Sequence, residues 1–360
     1  MSERNPVSCT ALATARIWQP LVCLSLLAGI GLSVLTLDAA IHNEALGIWL
    51  DRKFAEVNGT ANFYRRQYVD NEDRALLEEL ETLDVSRGGV YFFGGSNMMW
   101  ATCVPDLPSP QRHLVHNFGV GGESSARYVR QYVEFLVNHK NLLQAGADKS
   151  LIVFGTCFLN IKPPSDQAGN VFTNMWRRRG LYRYDLEAGI QPVPLSNCVR
   201  EYVVRKGRYA SLVHGCLERF ERWMVPKSLR RRKTPQNAEL YATDYRQRLG
   251  THWQEDLAAH RRDLQQFADY VKREKMNFVV VLLPLASWHK PLPYPAKYRA
   301  MIEEFCTTNG MPLIDYTNLL ADDDFVDHIH VNPQGLPKID SALMDIARKF
   351  LREKGVWPGK

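Results

Sequence analysis

The chain has 360 residues, 45% apolar and 23% charged, ordinary values for a folded protein and length enough for one large domain or two smaller ones. A formal net charge of +6 is too modest to point to nucleic acid as a partner. The seven cysteines contain no CxxC pair and no zinc-ligand spacing, and their odd number leaves at least one thiol free or paired between chains. No cofactor or metal is expected from these features.

Residues 1–16 form a short basic N-terminus with Arg4 and Arg16. Ile17 to Leu37 then runs about 21 residues without a charge, enough to cross a bilayer as a helix. Asp38 and Glu44 follow. The positive-inside rule puts the N-terminus in the cytoplasm and the rest outside, as a single-pass protein of the inner (plasma) membrane with a periplasmic or extracytoplasmic main domain. A cleaved signal peptide is the rival reading. Against it, Asp38-Ala39-Ala40 places an Asp where a small residue is wanted, and the apolar run is long for an h-region. An uncleaved anchor at 17–37 is therefore the expectation.

Residues 38–87 read as a juxtamembrane helical spacer, with Leu76, Leu77, Leu80 and Leu83 at helical spacing. From residue 88 to 360, apolar strands alternate with amphipathic helices. Strands are expected at Val90–Phe93, His113–Phe118, Leu151–Phe154, Phe278–Leu283 and Leu313–Ile314. Helices are expected at Ala126–Val137, Trp253–Val271, Tyr298–Cys306 and Ser341–Leu351. This alternation predicts an α/β fold, a doubly wound and mostly parallel sheet covered on both faces. Residues 160–249 break the pattern as a long insertion rich in Pro, Arg and Trp, too long for a structureless loop and so expected to form a subdomain or lid. Its basic runs, Arg177-Arg178-Arg179 and Lys227 to Lys233, suit anionic headgroups or an acidic polymer, or simply a solvated face.

Four short segments fall at the C-terminal ends of strands, where such sheets carry their sites. Ser96, in Gly94-Gly95-Ser96-Asn97, follows the first strand and is placed as a nucleophile; a plain helix cap is the alternative. Asn117 to Ser124 follows the second strand, and its glycines let backbone amides approach a ligand. Asp327 and His330 follow the last strand. A carboxylate three residues before an imidazole fixes its tautomer and leaves the other ring nitrogen as a base. His328 is a second imidazole, without that spacing. Asp322, Asp323 and Asp324 read as solvated loop residues. Ser287-Trp288-His289-Lys290 follows the fourth strand, where Trp288 and His289 could line a groove for a sugar or an acyl chain.

Taken together these segments resemble the SGNH, or GDSL-like, hydrolase family over roughly Gly89 to Leu351, the insertion excluded. The resemblance implies a flavodoxin-like fold and a Ser96–His330–Asp327 triad. It implies an oxyanion hole using Gly122, with Asn97 and Cys157 beside the substrate. The third block departs from the family pattern. Where Gly-x-Asn-Asp is usual, this chain has Gly155-Thr156-Cys157-Phe158-Leu159-Asn160, so a thiol replaces an amide donor and only Asn160 remains nearby. A single oxyanion donor typically contributes on the order of 100-fold or more in rate.

Anchored members of the family include O-acetyltransferases and esterases of cell-wall or exported polysaccharides. The resemblance thus implies an envelope-facing serine acyl enzyme acting on an O-acylated glycan, with a membrane-bound O-acyltransferase as a possible source of acyl groups. Two alternatives use the same fold: a non-catalytic glycan-binding protein, and a lipid-directed esterase with the insertion as lid.

Overall fold

The computed structural model describes residues 22–33, 35–36, 83–102, 107, 111, 113–119, 126–140, 147–161, 182–185, 189–192, 194, 196, 238–325, 329–332 and 334–358. The chain divides into two compact units, Met1–Trp49 and Leu50–Lys360. In the first, residues 22–33 and 35–36 are helical, and Leu24, Leu26, Leu27, Ile30, Leu32 and Leu35 are each more than half exposed. Among the described residues no helix is long and apolar enough to cross a membrane. The remainder of the expected 17–37 span, and the expected spacer up to residue 82, lie outside the described residues.

The second unit is built on five parallel strands: β1 (Gly89–Phe93), β2 (Val115–Asn117), β3 (Ser150–Thr156), β6 (Asn277–Leu282) and β7 (Leu313–Asp315). They lie in the order β2-β1-β3-β6-β7. Counting these five alone, the sheet starts in its middle, runs to one edge and returns to the other, which is the doubly wound arrangement. The expected α/β class and parallel sheet are thus observed.

Side chains alternate between the two faces, as the pleat requires. Tyr91, Phe93, Ile152, Phe154, Phe278 and Val280 point to one core. Val90, Phe92, Leu151, Val153, Val279 and Val281 point to the other. Burial on both faces is why these strands read as continuous apolar runs rather than alternating ones. On the first face lie α2 (Ala126–Lys140), α4 (Trp253–Arg273) and α5 (Pro293–Asn309), contributing Val129, Val133, Leu264, Phe267, Tyr298 and Ile302. On the second lies α6 (Leu336–Glu353), contributing Ile339, Leu343, Ala347 and Leu351. A short helix, α1 (Ser96–Met99), follows β1.

Helices α5 and α6 begin about five residues before the expected starts at Tyr298 and Ser341, because each opens on proline. Proline breaks a helical pattern when read along a sequence but fits the first turn, where its missing N–H has no partner to lose. Gly310, at φ 62°, ends α5 in the left-handed conformation.

Within the expected insertion, β4 (Tyr182–Asp185) and β5 (Gly189–Pro192) form an antiparallel hairpin. Helix α3 (Ala238–Leu249) does not behave as part of a lid. Its Tyr245 and Leu249 are buried in the first-face core.

A polar chain crosses that same core. His260 on α4 bonds the Tyr298 hydroxyl through Nε2 at 3.0 Å, and Tyr298 bonds Thr156 Oγ1 at the end of β3. All three side chains are buried. Burial holds the His260 imidazole neutral and depresses its pKa to about 4. An unfolded histidine protonates near pH 6.5, so between about 6.5 and 4 the unfolded chain takes up a proton that the native one does not. Stability is therefore present above this window and is lost as pH falls through it, by up to about 3 kcal/mol from this residue. His260→Gln, which cannot titrate, should lose correspondingly less between pH 7 and pH 4 in denaturant titrations. Equal losses in the two proteins would contradict this role.

Candidate active site

Ser96 leaves the sheet at the C-terminal end of β1. The turn before it is tight. A Cβ on Gly94 would lie 2.5 Å from the carbonyl oxygen of Gly155, which ends the neighbouring strand. The cap of α1 is Gly95, with no side-chain cap bond, so the Ser96 hydroxyl is not spent on capping. Instead Ser96 Oγ lies 2.8 Å from Nε2 of His330. The expected nucleophile and the expected base, at opposite ends of the domain's sequence, are in hydrogen-bond contact.

Asn117, fully buried at the end of β2, holds α1 in place. Its Nδ2 donates to the Met98 carbonyl at 3.0 Å and to Thr102 Oγ1 at 2.7 Å, while its Oδ1 accepts from Gly119 N at 2.9 Å. The Met98 carbonyl also accepts from Ala101 N at 3.0 Å, so the side chain adds a second bond to that oxygen and ties β2 to the end of α1. Gly119 packs so closely that a Cβ would come within 2.4 Å of Met99 N. The turn after β2 thus clamps the turn that carries Ser96.

His330 sits in a braced loop. Phe325 and Val331 pair as an isolated antiparallel bridge beside it. Asn332 Oδ1 accepts from the amides of Gln334 and Gly335 at 2.9 and 3.0 Å, and its Nδ2 donates to the Asp323 carbonyl at 2.6 Å. Of the three aspartates before it, Asp323 is exposed as expected, and Asp324 and Asp322 are not. Asp324 is buried and takes both oxygens to Lys338 Nζ at 2.8 Å. The charge is tolerated there because it is paired and also accepts from Ala321 N. Asp322 accepts from the hydroxyl and amide of Ser287, and these bonds hold its pKa below the usual value. They tie the loop after β6 to the loop after β7.

The third-block residues meet the nucleophile turn directly. Asn97 Nδ2 donates to Cys157 Sγ at 3.1 Å. Cys157 is buried, and burial pushes its thiol up to about 11, so it stays protonated at neutral pH. Asn160 turns its side-chain oxygen back to accept from Cys157 N at 2.9 Å. Only the amide nitrogen of Asn160 could donate elsewhere. Cys157 therefore packs as a small apolar group beneath the site, not as a surface for substrate. Cys23, Cys157 and Cys306 are free thiols among the described residues.

His289 differs from the expected groove lining, while Trp288 beside it is half-buried. His289 is fully buried, its ring 3.7 Å from that of half-buried Trp288 and edge-on to Phe158 at 5.1 Å. Tyr245 of α3 joins this cluster, 6.4 Å from Trp288 and 5.4 Å from His289. α3 covers His289 and takes it out of any groove. Asp327, Gly122 and His328 lie outside the described residues, as do the basic runs at 177–179 and 227–233.

Sequence reasoning did not single out Trp100, which ends α1 with its amide donating to Ser96 O at 2.9 Å. Its ring stacks on His330, with centroids 4.2 Å apart and planes 30° from parallel. A tryptophan four residues after the nucleophile was the available signal, though nothing local ties it to a histidine so far along the chain.

The arrangement is that of an α/β chain whose parallel sheet carries a serine–histidine pair at its C-terminal edge. Compared with models of known protein families the chain matches none, and no curated protein matches it either.

Proposed function

We propose that this chain is a serine acyl enzyme of the SGNH type. The observation that carries the reading is the 2.8 Å contact between Ser96 Oγ and His330 Nε2 at the sheet's C-terminal edge. In this mechanism the Ser96 oxygen attacks an ester carbonyl while its proton passes to His330 Nε2. The protonated ring then gives that proton to the departing alcohol. Asp327 is assigned to orient His330, and the amides of Ser96 and Gly122 to receive the oxyanion. Water or a sugar hydroxyl then takes the acyl group, making the enzyme an esterase or an O-acyltransferase. An O-acylated glycan is the proposed substrate class, with a membrane-bound O-acyltransferase as a candidate partner supplying acyl groups.

One observation favours the non-catalytic alternative. The thiol of Cys157, buried and protonated, stands where the family carries an amide donor. A fluorophosphonate probe separates the two readings, since it labels an activated serine without a known substrate. Stoichiometric labelling of the wild-type protein supports the enzyme. Its absence in folded protein favours a binding role.

The segment 17–37 is proposed as an uncleaved anchor that keeps the domain on the outer side of the inner membrane. The uncharged run and the exposed leucines of its helical part support this. Protease added to intact spheroplasts should degrade the main domain. A soluble protein trimmed near residue 38 would instead identify a cleaved signal.

A further inference from the structure

Residue Trp100 has an arrangement that packing alone does not explain. Its ring lies face to face with His330 at 4.2 Å, while the other side of the same histidine's chemistry, Nε2, is on Ser96 at 2.8 Å. The indole N–H is buried and makes no hydrogen bond among the described residues. An unpaired buried donor is destabilising, and phenylalanine would fill the stack without it. What indole offers over phenylalanine is the most electron-rich face among the aromatic side chains. The centroid separation is well inside the roughly 6 Å over which such a face attracts a cation. The histidine in question is the one that acquires a positive charge when Ser96 attacks.

We propose that Trp100 is a positioning residue of this site, whose indole face holds the His330 ring and stabilises the imidazolium formed as Ser96 surrenders its proton. The inference rests on the serine acyl-enzyme reading and adds a transition-state contribution to it. The stabilisation is differential. A neutral imidazole in the resting state gains little from the ring's electrostatics, whereas the imidazolium gains more, so the effect lowers the barrier rather than merely tightening the resting site. Charge separation in the transition state is thereby supported at its positive end. The backbone bond from Trp100 N to Ser96 O places the ring on the same turn as the nucleophile, so the two move together.

The test follows the reaction with a fluorophosphonate. Ser96 Oγ forms a bond to phosphorus, the P–F bond breaks, fluoride leaves, and the hydroxyl proton passes to His330 Nε2. Mono-, di- and trifluorotryptophan, placed site-specifically at position 100 of the full chain, withdraw density from the face with almost no change of shape. The inactivation rate should fall stepwise with each fluorine, reaching about threefold, while W100L falls about tenfold and W100F recovers most of that loss. The His330 ring protons, followed by NMR, report the stack independently of activity. They should be shifted upfield by the indole, remain so through the fluorinated series, and move in W100L. A rate unchanged by fluorination while W100L slows would show packing alone and overturn the proposal. Wild-type protein that is not labelled, or labelling that Ser96→Ala leaves intact, would overturn the serine reading and this inference with it. In that case the NMR signature alone would persist.

Discussion

Ser96→Ala abolishes fluorophosphonate labelling and ester turnover and leaves the domain folded. The expectation follows from the 2.8 Å contact with His330 Nε2 and from the absence of a capping role for the hydroxyl. Because α1 is held by Asn117, Gly119 and the turn bonds from Gly95, its position does not depend on the serine side chain. The loss should therefore appear in activity, on the order of a million-fold, and not in the unfolding midpoint. Persistence of wild-type labelling in a folded variant would remove Ser96 from the mechanism.

His330→Ala should cost a comparable factor, and His328→Ala much less. His330 is the imidazole on the serine, and its base is fixed by the Phe325–Val331 bridge and by Asn332. Members of a nucleophile–base pair act as a unit, so removing either leaves about the same residual rate, on the order of a million-fold below wild type. A double variant lacking Ser96 and His330 should be no worse than either single one. Equal damage from the two histidine substitutions, measured as kcat/KM on a small soluble ester, would point to a site that uses both rings.

Much of this architecture is legible along the chain. β1, β3 and β6 stand out because they are buried on both faces, which turns a pleated strand into an unbroken apolar run, whereas the edge strands β2 and β7 are shorter and less fully covered. Ser96 and His330 stand out because the alternation of elements places both at one edge of one sheet. What escaped has a physical reason in each case. Asp324 looks solvated among three aspartates because its cation, Lys338, arrives from a helix fourteen residues later. His289 looks like groove lining because its cover, Tyr245 of α3, comes from a segment without the alternating pattern. Cys157 was weighed as a donor or a substrate contact, whereas burial makes it an inert filler that accepts from Asn97. The Trp100–His330 stack joins a turn after the first strand to a loop after the last, and no local periodicity encodes such a pairing.

The 234 positions separating Ser96 from His330 have a consequence for the order of events in the cell. During synthesis Ser96 emerges early and His330 nearly last, with α6 still to follow. A chain stalled or clipped anywhere between them carries a serine with no base, and so is chemically silent. On the acyl-enzyme reading proposed above, activity therefore waits until the loop bearing His330 has folded against the turn bearing Ser96.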